Sequence, residues 1–176
     1  MVAELTNSIR ESLRTIPDFP KEGILFYDIT TLLADGPLFS ELIEAWAKHL
    51  ENLKVDKIVG LESRGFIFGC PLATALQKPF IPIRKPGKLP YEVNSVTFDT
   101  EYSSDGFEIH KDAISPGDRV AIIDDLLATG GTAAAAIKLI ELCKGEVVQV
   151  GCLLELSELK GRDKLPGSLV HSWVEI

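Results

Sequence analysis

The run from Arg119 to Lys144 constrains the fold of this chain more than any other. It opens on Arg119-Val120-Ala121-Ile122-Ile123, a short apolar stretch rich in β-branched residues, the composition of a buried strand. Asp124-Asp125-Leu126-Leu127-Ala128-Thr129-Gly130-Gly131-Thr132 follows, and Ala133 to Leu142 is then dominated by strong helix formers. The order is strand, loop, helix. Two carboxylates stand at the carboxyl end of the strand and two glycines at the start of the helix. In an open α/β sheet that edge is where ligands bind.

The loop has a readable chemistry. Gly130 and Gly131 allow positive φ and close approach of backbone to a ligand. Thr129 and Thr132 add hydroxyls, and the first helical turn offers N–H groups and the positive end of the helix dipole. This is a phosphate cradle, with Ala128 at its edge. It is neither a Walker loop nor a dinucleotide fingerprint, because the lysine of the one and the Gly-x-Gly-x-x-Gly of the other are missing. Asp124 and Asp125 would repel a phosphate and suit sugar hydroxyls, or magnesium held through water. Phosphate on the glycines and hydroxyls on the aspartates describe a ribose 5-phosphate. The competing reading, a plain βα turn with two solvated acids, leaves the convergence of all these groups unexplained.

The segment Ile122 to Thr132 resembles the phosphoribosyl-diphosphate-binding motif of type I phosphoribosyltransferases, and its Leu-Leu-Ala-Thr-Gly-Gly-Thr form resembles the adenine-using branch of that family. The resemblance implies an α/β fold with a central, mostly parallel sheet flanked by helices, an inserted hairpin or lid, and a small hood from the N-terminal region.

Composition agrees with an ordinary globular chain. At 176 residues, 45% hydrophobic and 25% charged, it is long enough for one domain with a sizeable core, residues 1–176. The net charge of −8 disfavours nucleic acid and anionic membrane as partners. No apolar run approaches a membrane span, and the N-terminus carries no signal-peptide pattern. Cys70, Cys143 and Cys152 are sparse and unpatterned, and read as reduced core thiols of a cytoplasmic protein.

Along the chain, Leu5, Ile9 and Leu13 predict a first helix of about ten residues. Pro17 and Pro20 end it, and Gly23 to Ile29 reads as a strand. Asp35-Gly36-Pro37 reads as a turn. Leu38, Leu42, Ile43, Trp46 and Leu50 mark the apolar face of a second helix, with Trp46 in the core and His49 solvated. Lys57 to Leu61 is a buried strand and Phe66 to Leu76 a helix containing Pro71. Phe80 to Arg84 is the next strand. Val93 to Tyr102 and Phe107 to His110 form a hairpin turned by Ser103 to Gly106. After the alanine-rich helix come a long strand, Glu146 to Leu156, a polar loop to Lys164, and a last edge strand, Ser168 to Ile176. Apolar strands alternating with helices predict a parallel sheet covered on both faces.

Four further stretches carry chemistry. Glu62-Ser63-Arg64-Gly65 follows a buried strand and should open on the same edge as Asp124; a guanidinium fork beside exposed N–H groups suits diphosphate. Arg84-Lys85-Pro86-Gly87-Lys88-Leu89-Pro90 puts three cations in seven residues of an acidic chain, an anion site stiffened by prolines. Thr100-Glu101-Tyr102 places a carboxylate on the hairpin. Asp18 to Ile29 offers apolar residues able to sandwich a flat base, although Phe19 and Ile29 read as ordinary core.

The family resemblance, which extends over about residues 15 to 165, gives these stretches roles. It implies that Ser63, Arg64, Arg84, Lys85 and Lys88 surround the diphosphate, Glu101 is the catalytic acid, and Tyr102 closes over the ribose. Leu25, Phe26 and Leu156 then contact adenine. It implies a hood over about residues 1–35, a flexible lid over about 86–115, magnesium held by substrate and water with no direct protein ligation, and a homodimer. Tyr27 stands where arginine is common in the family, and Ser103 where glycine is frequent. Two other readings share the cradle: an enzyme for another purine base, and a regulator that senses phosphoribosyl diphosphate. The second would need a DNA-binding extension, whereas the chain starts only a short helix before the fold and is acidic.

Overall fold

The computed structural model describes residues 2–99, 104–166 and 169–176, and the chain forms two compact units, 1–46 and 47–176. In the first unit, α1 (Val2–Ser12) buries Leu5 and Ile9 as the spacing predicts, but Leu13 falls beyond its end. β1 (Arg14–Pro17) pairs antiparallel with β2 (Leu25–Asp28), and Arg14 closes the pair with an ion pair to Asp28 at 2.5 Å. Ile29 is buried, but Phe19 is half exposed and packs edge-on against Phe26, so it is not the core residue expected. A short α2 (Thr30–Ala34) precedes α3 (Gly36–Glu51).

Asp35-Gly36-Pro37 is not a free turn. Gly36 and Pro37 begin α3, and the Asp35 carboxylate accepts a hydrogen bond from Leu38 N–H at 3.1 Å. Proline suits a first helical turn because no acceptor exists there for its missing N–H.

The second unit is built on a five-stranded sheet in the order β4 (Phe80–Ile83), β3 (Lys57–Leu61), β7 (Arg119–Leu127), β8 (Glu146–Glu155), β9 (Val170–Glu175). Every neighbouring pair is parallel. The chain leaves β3 toward β4 through α4 (Gly65–Leu76) and leaves β7 in the opposite direction, toward β8, through α5 (Gly131–Leu142). Right-handed crossovers of opposite direction put the two helices on opposite faces. They also make the gap between the carboxyl ends of β3 and β7 a topological switch point, where ligands bind in such sheets.

The inserted hairpin, β5 (Val93–Asp99) with β6 (Ser104–His110), is antiparallel. Its return strand begins at Ser104 rather than after Gly106, with Gly106 opposite Thr97. Phe107 and Ile109 are buried in one core cluster with Ala136, Ile137 and Ile140 of α5, which ties this strand to the body of the unit. Cys143 and Cys152 are buried as expected, whereas Cys70 is exposed. His49 is not solvated either: its ring stacks on His171 at 4.1 Å between centroids, and its Nε2 lies 2.7 Å from Gln149 Nε2.

Candidate active site

The two loops expected to share an edge do share it. A cavity of about 250 Å³ opens at the switch point, lined by Ser63 and Arg64 after β3, by Asp124 and Asp125 inside β7, which runs on to Leu127 where a loop was expected from Asp124, and by the Ala128–Gly130 turn with Thr132. Leu61, Glu62, Lys85, Phe107, Val150 and Cys152 complete much of its wall.

Gly130 is the residue on which the turn depends. It caps α5 with φ +78°, and an added Cβ would lie 2.3 Å from the Gly161 carbonyl oxygen. A non-glycine residue would be strained by the dihedral and blocked by the contact. Ala134 N–H donates to Gly130 O at 2.9 Å, so α5 starts there. The N–H groups just inside that start have no intrahelical acceptor by helix geometry, and with the dipole they form an anion-binding end facing the cavity.

The carboxylates lie beside this end. Asp125 is buried, and Arg64 Nε approaches its Oδ2 at 2.9 Å. Asp124 Oδ1 accepts the Asp125 N–H at 2.9 Å. Burial pushes the Asp124 carboxyl well above the usual range, and the adjacent Asp125 charge adds to the rise. Burial raises Asp125 as well, while the Arg64 guanidinium pulls it back toward ionisation. The close approach that permits this arrangement depends on Gly65, where a Cβ would fall 2.5 Å from Ile123 O and 3.2 Å from Asp124 Oδ1. The start of α4 therefore sits directly against β7 at Ile123 and Asp124.

The basic stretch is held by acids from elsewhere in the fold. Glu62 accepts Arg84 Nη2 at 3.0 Å and Lys85 N–H at 2.8 Å, and the Arg84 guanidinium holds its carboxyl below the ordinary value. Lys85 Nζ pairs with Asp105 of β6 and lies 5.1 Å from the Phe107 ring centroid. The cavity thus combines a cationic side, an acidic floor and a helix N-terminus. That combination can hold a sugar bearing anions at both ends.

A family model described as a phosphoribosyl transferase domain matches residues 29–168. The chain is 56% identical over 167 residues to the adenine phosphoribosyltransferase of Clostridium beijerinckii, covering 95% of this chain and 97% of that one. It belongs to the adenine phosphoribosyltransferase family. Among solved structures, the adenine phosphoribosyltransferase of Thermoanaerobacter pseudethanolicus matches with a TM-score of 0.93 at 50% identity, covering 97% of this chain and 99% of that one. The Saccharomyces cerevisiae adenine phosphoribosyltransferase, complexed with an imino-altritol bisphosphate and adenine, matches with a TM-score of 0.93 at 46% identity and the same coverages. The central parallel sheet flanked by helices is the type I phosphoribosyltransferase fold.

Within this adenine phosphoribosyltransferase fold the residues singled out from sequence are distributed unevenly. Ser63, Arg64, Lys85, Asp124, Asp125, Ala128, Thr129, Gly130 and Thr132 line one cavity. Gly131 is the first residue of α5, while Arg84 faces Glu62 and Lys88 is exposed. Leu156 follows β8, its N–H bonded to Leu127 O at 2.9 Å. Leu25 and Phe26 lie on β2 of the N-terminal unit, with Leu25 half exposed. Thr100, Glu101, Tyr102 and Ser103 lie outside the described residues. Sequence reasoning missed the anchoring by Glu62, the Asp105 partner of Lys85, and the aromatic wall of Phe107. Glu62 had a local signal, being adjacent to Ser63. The other two depend on a hairpin docking that no local pattern encodes.

Proposed function

We propose that this chain transfers the phosphoribosyl group of 5-phosphoribosyl 1-diphosphate to adenine, giving AMP and diphosphate, a step of purine salvage. The observation that carries the reading is the placement of Asp124 and Asp125 between the N-terminus of α5 and the Ser63–Arg64 loop, in one cavity. The 5-phosphate sits on Ala128 to Thr132, against N–H groups and the helix dipole. The aspartates accept the ribose hydroxyls. Arg64 and Lys85, with Arg84 and Lys88 nearby in sequence, stabilise the charge that develops on the departing diphosphate. Leu25, Phe26 and Leu156 contact the base. Glu101 handles the proton on the adenine ring, and Tyr102 covers the sugar, each carried by a lid over about residues 86–115. Closure would keep water from the activated sugar.

The donor set fits Mg²⁺. Two adjacent carboxylates in the cavity suit a cation that retains waters and completes its shell on substrate oxygens. Among the described residues no group of three or more His, Cys, Asp or Glu could hold a metal by itself. When bound, the ion would neutralise charge on the diphosphate. The reading includes a homodimer and a cytoplasmic location, both implied by family membership. Among the described residues no helix is long and apolar enough to cross a membrane. Incubation of AMP with magnesium and diphosphate tests the reaction in reverse: adenine and phosphoribosyl diphosphate should appear together. Hydrolysis of AMP without phosphoribosyl diphosphate would overturn the transfer.

A further inference from the structure

The loop after β8 is built against the phosphate cradle at two points. Leu156 N–H bonds to Leu127 O, one residue before Ala128. Farther on, a Cβ on Gly161 would lie 2.3 Å from Ala128 O and 3.1 Å from Gly130 N, and a Cβ on Gly130 would lie 2.3 Å from Gly161 O. The two backbones touch with no room for a methyl group between them. The left-handed Gly130 is thus held from behind by Gly161.

One side chain pins this loop to the sheet. Arg162 Nε contacts Glu155 Oε1 at 2.6 Å, its Nη1 donates to Val170 O at 3.1 Å, and its Nη2 donates to Ser172 Oγ at 2.9 Å and lies 3.3 Å from Glu175 Oε1. Ser172 Oγ in turn donates to Glu155 Oε2 at 2.7 Å. The Glu155 side chain is only 6% exposed. A planar fork that reaches a buried carboxylate and three neighbouring acceptors is something lysine cannot reproduce. Arg162 does not line the cavity.

We propose that Arg162 is a positioning residue for the 5-phosphate cradle, acting through Gly161. The guanidinium fixes the loop to the ends of β8 and β9, and the Gly161 backbone then sets the position of Ala128 to Gly130. The effect on function is large because small displacements of groups that position a reacting substrate are costly. The inference rests on the phosphoribosyl-transfer reading, since it assigns the phosphate to this turn.

The test compares wild type, Gly161→Ala, Arg162→Lys and the double variant Arg162→Met/Glu155→Gln, which leaves no buried charge unpaired. Calorimetric affinity for ribose 5-phosphate is set beside inhibition by diphosphate, whose proposed site lies on the separate β3 loop. All three variants should weaken ribose 5-phosphate binding by about tenfold or more and raise KM for phosphoribosyl diphosphate, with the diphosphate inhibition constant and near-UV circular dichroism unchanged. Unaltered ribose 5-phosphate affinity would overturn the proposal, as would parallel loss of both ligands with loss of the near-UV signal, which marks a purely structural tie. A wild type that binds ribose 5-phosphate but makes no AMP would refute the adenine reading instead, and the ribose 5-phosphate titration would still decide the role of Arg162.

Discussion

Asp124 and Asp125 are adjacent carboxylates inside one strand, close to its carboxyl end, and the fold keeps them there against their own electrostatics. Burial and the neighbouring charge raise Asp124, so its ionised form is disfavoured in the folded protein. A carboxyl whose folded pKa lies above its unfolded value favours folding only while protonated. That advantage is lost as pH rises from near 3.8 through the folded pKa, so at neutral pH the group favours the unfolded chain. Asp124→Asn is therefore expected to raise the thermal midpoint at pH 7 while lowering kcat/KM, as calorimetry and an AMP-formation assay would report. A lower midpoint would contradict the electrostatic account. Asp125 differs because Arg64 stands 2.9 Å away. Asp125→Asn should raise KM for phosphoribosyl diphosphate and leave Arg64, which is about half exposed, to find water. If Glu101 has the proposed role, Glu101→Ala should lower kcat by ~10²–10⁴ with little change in affinity for phosphoribosyl diphosphate. An unchanged kcat would remove Glu101 from the mechanism.

At the level of elements, β6 links the hairpin to the cavity. Phe107 is 1% exposed, packs in the core cluster with α5, and also forms part of the cavity wall. Phe107→Ala should destabilise by about 3–5 kcal/mol, the range for truncating a buried aromatic, read as a lower urea midpoint. A change within a few tenths of a kcal/mol would mean that β6 does not pack as described. The same elements show where sequence reading reached its limit. The β7–α5 unit was legible because its signals are local: β-branched residues, then acids, then glycines, then alanines. The switch-point loops were legible for the same reason. Ser104 to Gly106 was misread because Asp-Gly is a turn signal by itself, whereas the pairing of Gly106 with Thr97 is a property of the assembled hairpin. Asp35-Gly36-Pro37 was misread because turn residues and helix-start residues are the same types. The place of Arg64 on the loop after β3, at the cavity, was legible, but its Asp125 partner was not, because ion pairs between distant segments leave no local pattern. His49 was misassigned to solvent for that reason too, its stacking partner being on the last strand.

For the molecule as a whole, that histidine pair predicts a dependence of stability on pH. His171 faces His49 of α3, Trp173 of its own strand and the charge of Arg162, and His49 in turn lies beside Gln149 of β8. Burial, with repulsion from His49 and Arg162, lowers His171 from 6.5 to about 4. The unfolded chain then takes up a proton that the folded protein refuses, so stability is full above about pH 6.5 and falls as pH drops toward 4. Replacing His171 with phenylalanine keeps a ring against His49 and removes one titration. The fall in thermal midpoint between pH 7 and pH 4.5 should be shallower in that variant, and an unchanged slope would assign the acid sensitivity to other groups. In the proposed reaction cradle, acids and base contacts act on one substrate pair, and one assay tests it directly. Diphosphate release is measured from phosphoribosyl diphosphate and magnesium with adenine, hypoxanthine, guanine, xanthine or orotate added singly. Turnover with adenine alone is the predicted result. Turnover with a different base, or binding of phosphoribosyl diphosphate without turnover of any base, would contradict the account.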